Sequence, residues 1–142
     1  MKISVLIVDD NDTDRYLLKR FLTKTNYDFL ISEANDGAQA IEFFLDYQAK
    51  CEEDSERYPP LLIFLDINMP KVDGFEFLEA FSKIRQEHNL NSTVVMMFTS
   101  SPRREDKQNT LKWDFVKEYI VKGEFGVQDL KKVIEVQSEQ AS

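Results

Sequence analysis

The stretch LLIFLDINMPKVDG, Leu61 to Gly74, decides the fold. Leu61 to Leu65 is apolar at every position, as in a strand covered on both faces, and the run stops at Asp66. Asp73 and Gly74 then read as a turn. Two further β-rich, largely apolar runs flank it, Ile3 to Val8 ending in Asp9 and Asp10, and Thr93 to Phe98 ending in Thr99, Ser100 and Ser101. Shorter β-rich segments, Phe29 to Ser32 and Tyr119 to Val121, lead to Asn35-Asp36-Gly37 and to Lys122.

Amphipathic helices fill the intervals. Asn11, Asp12 and Thr13 supply capping chemistry for a first helix carrying Leu17, Leu18, Phe21 and Leu22 at helical spacing. Ile41, Phe44 and Leu45 mark a second, and Phe77, Phe81 and Ile84 a third. A fourth is expected from Pro102 to about Trp113, and a fifth through Val127, Leu130 and Ile134. The polar segment Gln48 to Arg57, closed by Pro59 and Pro60, is expected to be a surface loop. Five β-α units imply an α/β fold with a parallel sheet, right-handed crossovers and helices on both faces. All strand C-termini then lie on one edge, where such sheets bind ligands. One domain is expected over residues 1–142, with a core from about 2 to 137 and a short polar tail from about Ser138.

Composition bounds the function. With 42% apolar and 31% charged residues and only 4 Gly and 4 Pro, the chain is that of a folded globular protein. Lys plus Arg at 18 against Asp plus Glu at 26 gives −8, which repels nucleic acid and anionic membrane surfaces and attracts cations and basic partners. The six-residue run Ile3 to Val8 is too short for a membrane span or a signal segment, and Cys51 has no second cysteine to pair with. Cytoplasmic residence is the expectation.

The strand-end residues carry chemistry. Asp9, Asp10, Asp66, Thr99 and Lys122 should converge on one pocket. Three carboxylates at one edge call for a hard cation, and Mg2+ suits oxygen donors. A metal, a carboxylate nucleophile, an ammonium and a hydroxyl are the parts phosphoryl transfer uses. Plainer roles compete: helix capping for Asp9, Asp10 and Thr99, a strand aromatic for Tyr119, and a solvated strand end for Lys122. His88 reads as a surface residue, Met96 and Met97 as core, and Trp113 as either half-buried or an interface anchor.

VLIVDDN (Val5 to Asn11), IFLDINMPKVDGFEFL (Ile63 to Leu78), MMFTSS (Met96 to Ser101) and YIVK (Tyr119 to Lys122) together resemble the receiver domain of two-component response regulators, of the single-domain chemotaxis type, from Lys2 to about Gln137. The resemblance implies a flavodoxin-like strand order 2-1-3-4-5 and phosphorylation of Asp66 by a histidine kinase or histidine phosphotransfer protein. It implies Mg2+ bound by Asp10, Asp66 and the backbone carbonyl of Asn68, with Asp9 acting through water. Lys122 and Thr99 would bind the phosphoryl group, Thr99 and Tyr119 would switch, and Asn68 and Ser101 would tune the acyl phosphate's lifetime. Catalysis would extend only to the protein's own aspartate, and output would pass from the face of the predicted fourth and fifth helices to a separate protein or into self-dimerisation. Two alternatives stand beside it: a phosphate-independent interaction module, and a phosphohydrolase of the haloacid dehalogenase type, which expects an Asp where Asn68 stands.

Three features depart from the family. Gly123 replaces the usual proline, and Asp114 and Phe115 replace Gly and Ala after the fourth helix. The segment from Gln48 to Pro60 is longer than usual, and its acids could steer a partner.

Overall fold

The structure is a computed structural model describing residues 2–141. Five strands, β1 (Ile3–Val8), β2 (Phe29–Ala34), β3 (Leu62–Leu65), β4 (Val94–Thr99) and β5 (Val116–Val121), pair in parallel in the order β2-β1-β3-β4-β5. Six helices join them: α1 (Asp12–Thr23), α2 (Gly37–Phe43), α3 (Tyr47–Glu53), α4 (Gly74–His88), α5 (Arg104–Leu111) and α6 (Val127–Ala141). The strand order is the one implied by the resemblance.

Alternation along the continuous apolar runs divides the interior into two cores. Val5, Ile7, Leu62, Phe64, Val94 and Met96 point toward Leu18 and Leu22 of α1 and Leu130 and Ile134 of α6. Leu6, Val8, Ile63, Leu65, Val95 and Met97 point toward Ala40 of α2, Phe44, and Phe77 and Phe81 of α4. The central strands β1, β3 and β4 feed both layers and are apolar at every position but Ser4 and Thr99, and Met96 and Met97 are core residues on opposite faces.

Several local expectations change. Gln48 to Arg57 is not simply a loop, because α3 occupies Tyr47–Glu53. Asp46 adopts a left-handed conformation (φ 52°), which ends one helical path and begins another. Lys50 Nζ reaches back to the carbonyls of Glu42 and Phe43 at 2.8 and 3.3 Å, satisfying the end of α2. The residues expected as a tail from Ser138 continue α6 to Ala141, since no Gly or Pro interrupts them.

Asp73-Gly74 is a helix start rather than a free turn. Asp73 Oδ1 accepts from Glu76 N–H at 2.9 Å, while Glu76 Oε1 accepts from Asp73 N–H at 3.1 Å, a capping box. Pro102 lies outside its helix, which begins at Arg104. Asp114 avoids the left-handed region, so its replacement of glycine forces no strain. Gly123 sits at φ +84°, a conformation closed to proline, so this loop follows its own path after Lys122. Trp113 is half-buried beside Phe115, with ring centroids 5.6 Å apart, and His88 lies against the Tyr47 ring at 4.6 Å.

Candidate functional site

Register places the charged residues. Val8 pairs with Leu65, Leu65 with Met97, and Thr99 with Val121, so Asp9, Asp66, Thr99 and Lys122 come at the same sheet edge. Backbone bonds fix the approach: Asp66 N–H donates to Val8 O at 3.0 Å and Lys122 N–H to Thr99 O at 2.8 Å. Gly74 lets α4 begin directly against the end of β3. A Cβ there would stand 2.4 Å from the Asp66 carbonyl oxygen, and Gly74 N–H donates to Ile67 O at 2.8 Å.

Asp9, Asp10 and Asp66 each offer a carboxylate oxygen, all within 4.8 Å of one another. Asp9 and Asp66 are buried and Asp10 is exposed, so the cluster opens to solvent on the Asp10 side. Asp9 Oδ1 accepts from Asn11 N–H at 2.9 Å, and Asp66 Oδ1 from Ile67 N–H at 2.8 Å, leaving the Oδ2 atoms for the pocket. Opposite them the Lys122 ammonium lies 2.7 Å from Asp9 Oδ2, 2.8 Å from Asp14 Oδ2 and 3.2 Å from Asp66 Oδ2. Three partners match the three protons of an ammonium.

Burial raises the Asp9 carboxyl above its ordinary range, partly offset by the Lys122 hydrogen bond and the Asn11 amide. Burial alone would lower Lys122, but its hydrogen bonds to Asp14 and Asp9 and the charge of Asp66 hold it above the usual lysine value. The ammonium therefore stays charged, and the pocket still carries more negative than positive charge. Hard oxygen donors this close fit a divalent cation such as Mg2+, with Asp9, Asp10 and Asp66 as the residues to hold it.

Thr99 is fully buried, and its Oγ1 accepts from Ser101 N–H at 3.3 Å. Tyr119 is half-buried and donates its hydroxyl to Ser101 O at 2.8 Å, so both side chains engage the backbone of one residue. Burial raises the Tyr119 phenol, which keeps the proton it donates. Ser101 Oγ donates to Asp106 Oδ2 at 2.5 Å in the first turn of α5, tying this strand end to that helix. Asn68 is exposed two residues beyond Asp66.

Sequence reasoning missed two neighbours of the pocket. Asp14 meets Lys122 across 108 residues, a separation no local pattern reveals. Arg15 is buried, donates to the Asp9 carbonyl at 2.6 Å and to Glu33 Oε1 at 3.1 Å, and pairs with Asp12. Its position one turn after the Asn11 cap was the available signal.

A family model described as the response regulator receiver domain matches residues 5–135. The sensor protein EvgS of Escherichia coli O157:H7 is 34% identical over 110 residues, 78% of this chain but only 8% of that protein. The response regulator Rcp1 of Synechocystis sp. is 32% identical over 102 residues, 72% of this chain and 65% of its own length. A crystal structure of the Mn2+-bound form of response regulator Rcp1 superposes with a TM-score of 0.67 at 28% identity, covering 94% of this chain and 90% of that one. A two-component response regulator from Cytophaga hutchinsonii gives a TM-score of 0.81 at 26% identity, covering 98% of this chain and 99% of that one.

Proposed function

The chain belongs to the response regulator receiver domain family of two-component signalling, and from that premise we propose that Asp66 is its phosphoacceptor. The observation that carries this reading is the meeting of Asp66 with Asp9, Asp10 and Lys122 at one sheet edge. An Asp66 carboxylate oxygen attacks the phosphorus of a phosphohistidine on a histidine kinase or phosphotransfer protein. The P–N bond breaks, its electron pair returns to the imidazole, and an acyl phosphate C–O–P linkage forms. Attack of water on that phosphorus releases inorganic phosphate and restores the carboxylate. The reaction goes no further than the protein's own aspartate.

Asp10, Asp66 and the Asn68 carbonyl would hold Mg2+, with Asp9 acting through water, and the existence of a Mn2+-bound form of Rcp1 supports the binding of a divalent ion. Bound there, the ion would neutralise charge on the transferring phosphoryl oxygens. Lys122 balances the same charge from the other side. Thr99 gives up its bond from Ser101 N–H to meet the phosphoryl group, and Tyr119, held by the Ser101 carbonyl, turns with it. The Ser101–Asp106 bond carries the change into α5, so the face of α5, β5 and α6 is the output, toward a separate protein or a second copy. Asn68 and Ser101 adjust how long the acyl phosphate lasts.

A phosphohydrolase of the haloacid dehalogenase type is disfavoured because Asn68 has no acid or base to offer. Amide NMR in Mg2+ with beryllofluoride, a phosphoryl mimic, tests the reading. Shifts at Asp66, Thr99 and Lys122 that spread to α5 and vanish in Asp66→Asn support it. Metal shifts with no response to the mimic favour a phosphate-independent interaction module.

A further inference from the structure

Asp14 is the third residue of α1 after its cap, Asn11. At that position an acidic side chain commonly turns back to the cap's own amide, as Glu76 does in α4. In α1 the amide of Asn11 is already taken by Asp9 Oδ1 at 2.9 Å, while Asn11 Oδ1 accepts from Asp14 N–H at 2.9 Å. The Asp14 carboxylate is thereby left free to face the pocket, and it takes Lys122 Nζ at 2.8 Å, nearer than Asp66 at 3.2 Å.

The three partners of Lys122 differ in kind. Asp9 and Asp66 belong to the cation cluster, and Asp14 does not. A divalent cation drawing on Asp9 and Asp66 competes with the ammonium for the same oxygens, whereas the bond to Asp14 survives. The side chain of Lys122 is only 14% exposed, so an ammonium displaced without a partner would be costly. A phosphoryl group on Asp66 makes the opposite demand, since it needs Lys122 turned toward itself.

We propose that Asp14 is a positioning residue: it holds the Lys122 ammonium when a cation occupies the aspartate cluster and competes with the phosphoryl group for it, thereby trading anion affinity for cation affinity. This deepens the phosphoacceptor reading and rests on it. Asp14 touches neither cation nor phosphoryl group, and it acts through Lys122.

Asp14→Asn removes the charge while leaving the amide that bonds Asn11 in place. Its Mg2+ dissociation constant, measured by calorimetry without any phosphodonor, rises by about three- to tenfold, the range one nearby charge produces at a partly exposed site. Its beryllofluoride dissociation constant at saturating Mg2+, read by fluorine NMR, falls by a similar factor. Asp14→Glu, which keeps the charge, returns both toward wild type. A purely structural role would weaken both together, so parallel weakening, or changes under twofold in both, overturns the inference. If the wild type binds Mg2+ and the mimic while Asp14→Asn is unaltered, this inference alone fails; if the wild type binds neither, the phosphoacceptor reading fails with it.

Discussion

Asp9 combines deep burial with a direct bond to an ammonium, and burial prevails: its carboxyl is raised from 3.8. A carboxyl raised by folding means that the folded protein binds a proton the unfolded chain has already lost. The associated stability is complete below the unfolded value and disappears as pH rises through the folded one. In metal-free buffer the stability of wild type relative to Asp9→Asn should therefore grow as pH falls from 7 toward about 4. Denaturant titrations across that range measure it, and a pH-independent difference would refute the assignment. Asp9 was legible as a candidate because two acids closed an apolar strand. Its meeting with Lys122 was expected from the strand ends, whereas Asp14 as a further partner of that lysine was not, since the two lie 108 residues apart and meet only after β1 and β5 enter one sheet.

Elements carry the positioning. The three largely apolar runs were readable because a central parallel strand, buried on both faces, leaves few polar positions. The break between α2 and α3 was not, because it depends on a left-handed Asp46, for which Gly or Asn is the usual marker. The start of α4 was half readable: Asp-Gly suggested a turn, but Glu76 completes a capping box and Gly74 is required by the Asp66 carbonyl. Gly74→Ala should cost about 1–3 kcal/mol, because the close contact is with backbone that must shift, outweighing the better helix propensity of alanine. It should also slow phosphorylation of Asp66 by moving the end of β3. Chemical denaturation and phosphorylation rates check both effects, and a variant as stable as wild type would show that α4 can slide.

At the scale of the molecule, charge organises behaviour. The chain carries −8 overall and gathers Asp9, Asp14 and Asp66 around Lys122, with Asp10 clustered beside Asp9 and Asp66. A cation binding only the folded protein stabilises it by mass action, by about 2.7 kcal/mol at a hundredfold excess over its dissociation constant. Mg2+ should accordingly raise the melting temperature of wild type, and much less that of Asp10→Asn, in thermal scans. Among the described residues no helix is long and apolar enough to cross a membrane. The net negative charge favours cations, and the sheet edge concentrates carboxylates at one place.

Intact mass spectrometry after incubation with Mg2+ and acetyl phosphate tests the phosphoacceptor assignment most directly, with Asp66→Asn in parallel. The expected result is one acid-labile phosphoryl group on the wild type, mapped to Asp66 and absent from the variant. A phosphoryl group that persists in Asp66→Asn, or a folded, Mg2+-binding wild type that acquires none, would contradict it.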